Sequence, residues 1–261
     1  MTIAGSDSGA GAGLQADLKT FAALGVFATT VVTAVTAQST RAVTGVEAMS
    51  CAFVVLQIET VLDDMPVAAV KTGMLASSEV VGAVARLAGD GRLPNLVVDP
   101  VLTSSTGHPL LDPGGVAAYV EQLVPVARVL TPNLREAALL LGVDRQELGD
   151  VAAMADAARR LVALGPETVV VKGGHLGGDA SPDVVATAGA VSVLERPRIR
   201  TANDHGTGCS LSAAIAAGLA RGLDPRDALG RAEEFLTRAI TGAAGWHLGA
   251  GRGPLDHFGW S

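Results

Sequence analysis

The segment Asp204-His205-Gly206-Thr207-Gly208-Cys209-Ser210 opens a helical run of small residues over 209–219. Glycines on both sides of Thr207 let consecutive backbone N–H groups point outward, and a helix N-terminus adds partial positive charge. Gly206, Thr207 and Gly208 thus form a candidate anion hole for a phosphoryl group in transfer. Cys209 stands at the mouth of the helix, where a thiolate is favoured. A thiolate there is a candidate base for the proton of an attacking alcohol. Taken alone, the turn reads equally as a helix cap beside a buried small residue. A primary alcohol is a far weaker acid than a thiol, so full deprotonation before attack is not expected. Phosphoryl transfer passes through a loose transition state in which positioning and electrostatics dominate. General-base help adds about 10²–10⁴-fold.

Other polar residues stand at the ends of apolar runs. Asn133-Leu134-Arg135-Glu136 opens a helix, and the i, i+3 spacing puts Asn133 and Glu136 on one face. Oxygen ligands of this kind, partly through water, suit Mg²⁺. Glu136 also reads as a plain N-terminal helix acid. Lys172 precedes Gly173-Gly174 and can pair with a phosphate; Asp99 can act near the metal and the attacking hydroxyl. The opening Gly5-Ser6-Asp7-Ser8-Gly9-Ala10-Gly11-Ala12-Gly13 joins a strand to a helix. It meets neither nucleotide fingerprint, lacking both the acid about 20 residues on and a Gly-Lys-Ser/Thr. It is either a flexible connector or a bare-backbone loop that a small ligand approaches closely. In the second case Asp17 points an acceptor at that ligand. Gln38, just after a long strand, offers one donor and one acceptor to an aminopyrimidine-like edge.

These residues need a scaffold that gathers strand ends. Apolar, strand-like runs at 29–35, 68–71, 96–99, 129–131 and 168–172 alternate with helical patterns at 14–24, 53–62, 78–88, 113–123, 134–141 and 151–164. Such alternation predicts right-handed crossovers and a mainly parallel sheet with helices on both faces. Segments 184–188 and 191–194 flank Gly189-Ala190 as a hairpin, hence an antiparallel edge. In open parallel sheets, ligands bind beyond the carboxyl ends of the strands. The 261 residues, 49% of them hydrophobic, are read as a single domain over 1–261.

Composition removes several classes. The net charge of −7 without a basic stripe, and only 3% aromatic residues, disfavour nucleic-acid binding. No apolar run reaches the roughly 18–20 residues of a membrane span. No secretory leader is evident, and two cysteines, Cys51 and Cys209, offer no disulfide framework, so a reducing, cytoplasmic setting is expected. The chain begins almost directly in a strand, and a few preceding residues are expected to be absent. No His/Cys group has zinc spacing; His108, His175, His205, His247 and His257 read first as loop or capping residues.

With these residues assembled, the chain resembles the hydroxymethylpyrimidine/phosphomethylpyrimidine kinases of the ribokinase-like superfamily. The likeness is carried by residues 2–9, 13–20 and 33–38, by Lys71-Thr72-Gly73-Met74-Leu75, Val98-Asp99-Pro100-Val101, Thr131-Pro132-Asn133-Leu134, Val171-Lys172-Gly173-Gly174, His205-Gly206-Thr207-Gly208-Cys209 and the tail 251–258. Many superfamily members have Asp at the place of Cys209. Ala10 departs from the family's usual glycine run. The resemblance implies a three-layer sandwich and ATP-dependent phosphorylation of 4-amino-5-hydroxymethyl-2-methylpyrimidine, first to the monophosphate and then to the diphosphate, in thiamine biosynthesis. It implies a pyrimidine pocket of Gly5, Asp17, Gln38, Met74 and Val101, and Mg²⁺ served through water by Asn133, Glu136 and Asp99. Lys172, Asn133 and Thr207 would serve ATP, Gly206 to Gly208 would form the anion hole, and Cys209 would be the base. A homo-oligomer is also implied. The rivals are a pyridoxal or pyridoxine kinase and a non-catalytic pyrimidine sensor.

Overall fold

In the computed structural model, which describes residues 1–103, 110–174 and 176–260, the β-branched runs become strands of one sheet. Among the described residues these are β1 (Thr2–Asp7), β2 (Thr30–Gln38), β3 (Val43–Ala48), β4 (Val70–Thr72), β5 (Leu96–Val98), β6 (Val129–Leu130), β7 (Thr168–Lys172), β8 (Ala180–Thr187) and β9 (Val191–Pro197). Their order is β3-β2-β1-β4-β5-β6-β7-β8-β9. The inner strands from β2 to β7 run parallel. β3 closes one edge antiparallel, and the β8–β9 hairpin closes the other.

Parallel neighbours need crossovers, and helices supply them. They are α1 (Gly13–Ala23), α2 (Cys51–Asp64), α3 (Ser78–Gly89), α4 (Gly115–Ala118), α5 (Leu134–Leu141), α6 (Val151–Val162), α7 (Thr207–Ala220) and α8 (Pro225–Ala243). The strand pleat divides the core in two. Val98 and Leu130 pack with Val54, Val84, Leu134 and Leu161 of α2, α3, α5 and α6. Val97 and Val129 face the other way, toward Phe21 of α1, Ile215 of α7 and Leu236 of α8. This is the predicted three-layer arrangement of a mostly parallel sheet between helices.

Boundaries differ where packing overrides pattern. The helix predicted at 113–123 starts at Gly115 and passes into a π-helical turn at Tyr119–Leu123 that buries Tyr119. The hairpin strands are longer than predicted. β3 escaped the sequence reading because its residues are mostly exposed and show no alternation. α8 escaped it although the signal was present: an Asp224 cap, Pro225 at the first turn, and Leu229, Ala232, Leu236 and Ala239 on one buried face. His108 and His175 lie outside the described residues.

The chain's tail returns to the start of α7. Buried His257 lies with Nδ1 3.1 Å from the Leu255 carbonyl and Nε2 2.9 Å from the Ser210 hydroxyl. A carbonyl only accepts, so Nδ1 carries the proton and Nε2 accepts from Ser210. Burial, helped by the Lys19 charge, pulls the pKa of His257 down to about 4 from 6.5. A depressed folded-state pKa gives stability that is full above pH 6.5 and is lost as pH falls toward 4. On this account folding is expected to be about 2 kcal/mol weaker at pH 5 than at pH 8. Urea unfolding at both pH values, with His257→Gln as the non-titrating control, checks it. An equal pH dependence in that variant would remove His257 as the cause.

Candidate active site

Strands β4, β5, β6 and β7 all end at the same side of the sheet, and a cavity of about 570 Å³ opens there. Lys172 ends β7, and Asp99 directly follows β5. Lys172 Nζ lies 3.0 Å from Asp99 Oδ1. Burial works to lower the Lys172 pKa, but the Asp99 and Glu136 carboxylates outweigh it and raise it, so the ammonium persists. Its position is set against the glycine turn: a Cβ on Gly208 would sit 3.1 Å from Lys172 Nζ.

Asn133 caps α5, and Glu136 stands in its first turn as the plain reading of that acid expected. The Asn133 side chain accepts from the N–H groups of Arg135 and Glu136 at 2.9 and 3.0 Å, and Glu136 Oε2 accepts from the Asn133 N–H at 2.8 Å. The capping box holds the Glu136 carboxyl in the cavity wall, close enough to feel Lys172. Burial pushes its pKa up to about 7, with the Lys172 charge opposing. The carboxylate that completes the helix cap is therefore also one that lines the cavity.

α7 begins at Thr207, with Gly206 in the left-handed region at φ 86°. A Cβ on Gly206 would meet the Gly11 carbonyl oxygen at 1.9 Å, so only glycine fits. The glycine loop thus lies directly on the turn at Gly206. Thr207 Oγ1 donates to the Asp204 carbonyl at 2.6 Å, which fixes the turn. The N–H groups of Gly208 and Cys209 have no protein acceptor among the described residues. They remain available to an anion in the cavity, as a helix N-terminus allows. In the facing loop Ala10 adopts φ 57°, where an L-residue costs about 1–2 kcal/mol.

Cys209 keeps part of its surface open to the cavity. Burial nevertheless pushes its thiol up to about 11, with the Lys71 ammonium and the Gly13 N–H opposing and Asp99 and Asp17 adding to the rise. The thiolate expected at the helix mouth is corrected on this point: burial outweighs the Lys71 charge and the Gly13 N–H, and the resting group is a thiol.

Gly5, Gln38, Met74 and Val101 line the cavity together with Asp99, Asn133, Glu136, Lys172 and Gly206 to Cys209. Asp17 does not. It is fully buried beneath the floor, 2.9 Å from Lys71 Nζ and 2.6 Å from Thr2 Oγ1. An acceptor with no access to solvent cannot reach a ligand directly; Asp17 instead holds Lys71, whose pKa its carboxylate raises although burial opposes. Sequence reading placed Lys71 at a strand end facing the crevice without giving it a role, and passed over Asp7, His205, Arg135 and Arg252 as cavity residues. A lysine inside an apolar strand was a usable signal for the first. The others needed the folded chain.

Fold and site together define a ribokinase-like small-molecule kinase. The model of the phosphomethylpyrimidine kinase family matches residues 7–256. The chain belongs to that family. It is 49% identical over 259 residues to the hydroxymethylpyrimidine/phosphomethylpyrimidine kinase of Rhizobium meliloti, covering 99% of this chain and 96% of that one. A crystal structure of phosphomethylpyrimidine kinase from Clostridium difficile superposes with a TM-score of 0.79 at 37% identity, over 90% of this chain and 96% of that one. An ADP complex of Bacillus subtilis pyridoxal kinase superposes with 0.89 at 38% identity, over 98% and 95%.

Proposed function

We propose that the protein transfers the γ-phosphoryl group of ATP to the hydroxymethyl oxygen of 4-amino-5-hydroxymethyl-2-methylpyrimidine, and then phosphorylates the monophosphate to the diphosphate, in the cytoplasmic synthesis of thiamine. The observation that carries this reading is the shared cavity. The Gln38 amide, with one donor and one acceptor, lines it beside apolar Met74 and Val101, and so does the charged cluster of Lys172, Asp99 and Gly208. A flat heteroaromatic ring and a triphosphate need those two kinds of wall.

The hydroxyl oxygen forms a bond to the γ-phosphorus while the bond to the β–γ bridging oxygen breaks and ADP leaves. Charge on the transferring oxygens is met by Lys172 and by the Gly208 and Cys209 N–H groups, which are aimed before reaction. Cys209 takes the hydroxyl proton. Only the deprotonated fraction, whose own proton has already gone to solvent, can accept it, and it does so late, as a loose transition state permits. Lys71 beside it favours the thiolate that step requires.

Among the described residues no three His, Cys, Asp or Glu side chains cluster as a metal cage. Asn133, Glu136 and Asp99 are oxygen donors in the cavity wall and fit Mg²⁺ held largely by water and phosphate. Mg²⁺ there would neutralise triphosphate charge.

A second reading, pyridoxal phosphorylation, is favoured by the TM-score of 0.89 to a pyridoxal kinase. ADP release measured with ATP and the pyrimidine alcohol, its monophosphate and pyridoxal decides between them. Both pyrimidines are expected to turn over. Pyridoxal phosphorylated far faster than the alcohol would replace the first reading by the second. Gln38→Leu is expected to weaken pyrimidine binding about tenfold, the worth of one net hydrogen bond, with ATP affinity within twofold. Titration calorimetry with each ligand reads this, and equal losses would place Gln38 outside the pyrimidine subsite.

A further inference from the structure

Gln38 ends β2 with its backbone pinned to the glycine loop. The Ser8 hydroxyl accepts from the Gln38 N–H at 2.8 Å and donates to its carbonyl at 2.9 Å. The side-chain amide has two further neighbours: Oε1 lies 3.1 Å from Thr36 Oγ1, and Nε2 lies 3.2 Å from His205 Nε2. The two ends of an amide are isosteric, so their partners decide which is which.

At His205 the partner is fixed by Asp7. The Asp7 carboxylate accepts from the N–H groups of Gly9, Gly11 and Ala12 at 2.8, 3.0 and 2.8 Å. Burial works to raise its pKa, and the His205 and backbone hydrogen bonds outweigh that, so the group is ionised. His205 Nε2 lies 3.2 Å from Asp7 Oδ2. A carboxylate only accepts, so this nitrogen carries a proton. An amide NH₂ turned toward it would set two donors face to face.

Thr36 leads independently to the same orientation. Its hydroxyl lies 3.0 Å from the Ser6 carbonyl, which only accepts. The one hydroxyl proton is therefore used, and toward Gln38 the oxygen can only accept. The amide end beside Thr36 must be NH₂, and the end beside His205 is then the oxygen, which shares the ring N–H with Asp7. A half-turn of the amide removes both conflicts at once.

We propose that His205, keyed by Asp7, is a positioning residue that fixes the Gln38 amide with its oxygen toward the imidazole. This orientation makes the cavity prefer a ring with an amino donor beside an acceptor nitrogen over its oxo counterpart. The fixed amide keeps one carbonyl lone pair and one N–H for a ligand. The 4-amino ring offers a donor and an acceptor; the 4-oxo ring offers them in reversed order. A ring tethered at the reaction centre by its hydroxymethyl group cannot turn over to compensate. The imidazole is itself held: a Cβ on Gly11 would lie 2.3 Å from His205 Cδ2, and the His205 backbone N–H donates to the Gly253 carbonyl at 3.0 Å, which anchors the residue. The inference rests on the pyrimidine reading of the cavity.

The test is steady-state kinetics with ATP and the 4-amino and 4-oxo pyrimidine alcohols, in wild type, His205→Phe and His205→Gln. Glutamine carries an N–H at about the reach of the imidazole Nε2. His205→Phe is expected to raise KM for the amino alcohol about tenfold, leave KM for ATP within twofold, and bring the amino-to-oxo ratio of kcat/KM close to one. His205→Gln is expected to restore most of that ratio. If His205→Phe fails to fold, His205→Asn, whose amide falls short of Gln38, is expected to show the same loss. Parallel losses for ATP and pyrimidine, or an unchanged ratio, overturn the inference alone. A wild type that takes pyridoxal and neither pyrimidine overturns the functional reading and the inference with it.

Discussion

Replacing Lys172 by methionine is expected to lower kcat/KM for the pyrimidine alcohol about 10³-fold, the scale of losing a preorganised charge from a phosphoryl-transfer site. The side chain lies 3.0 Å from Asp99 and against the Gly208 backbone, so its ammonium stands where the anion hole and the carboxylates meet. Methionine keeps the length and the apolar stem but leaves buried Asp99 without its ion partner. ADP release gives the kinetic loss. Calorimetric titration of the pyrimidine, expected within about threefold of wild type, shows that the cavity has kept its shape. A turnover within tenfold of wild type would exclude Lys172 from the transition state.

Cys209→Ala is expected to cost about 10²-fold in kcat at pH 7, the lower part of the range for general-base catalysis, with pyrimidine KM nearly unchanged. The low figure follows from the resting thiol. With its pKa pushed up to about 11, the base form is a minor species at neutral pH. Its fraction rises tenfold per pH unit below that value. Between pH 7 and 9 the wild-type kcat should therefore climb, and the alanine variant should lose the climb. Near-normal turnover in the variant, or the same pH slope in both, would reject the base role.

Much of the architecture was legible in the sequence because it depends on local pattern. β-Branched apolar runs such as 168–171 fit strands buried on both faces, and their alternation with helical patterns points to a parallel sheet. Polar residues at the ends of those runs, Asp99 and Lys172, already pointed to one edge. The exposed strand β3 was invisible for the converse reason: nothing in it is buried, so no period marks it.

The site was legible as a set of residues and less so as a set of roles. Chemistry and spacing alone offered a glycine-flanked helix start, an Asn133–Glu136 pair at i, i+3 and a strand-end lysine as candidates for phosphoryl transfer, each with a plain structural alternative. Tertiary structure decided what each group is when it gets there. Asp17 and Cys209 show why. Burial sets the role of both, and burial is a property of what the rest of the chain packs around a residue. Asp17 became the buried partner of Lys71, and Cys209 became a neutral thiol. Asp7 and His205 make the same point with distance: 198 positions separate two side chains that now lie 3.2 Å apart. Hydrogen-bond partners that far apart in sequence leave no periodic trace, so their hold on Gln38 appears only once the sheet has brought the glycine loop onto the turn at Gly206.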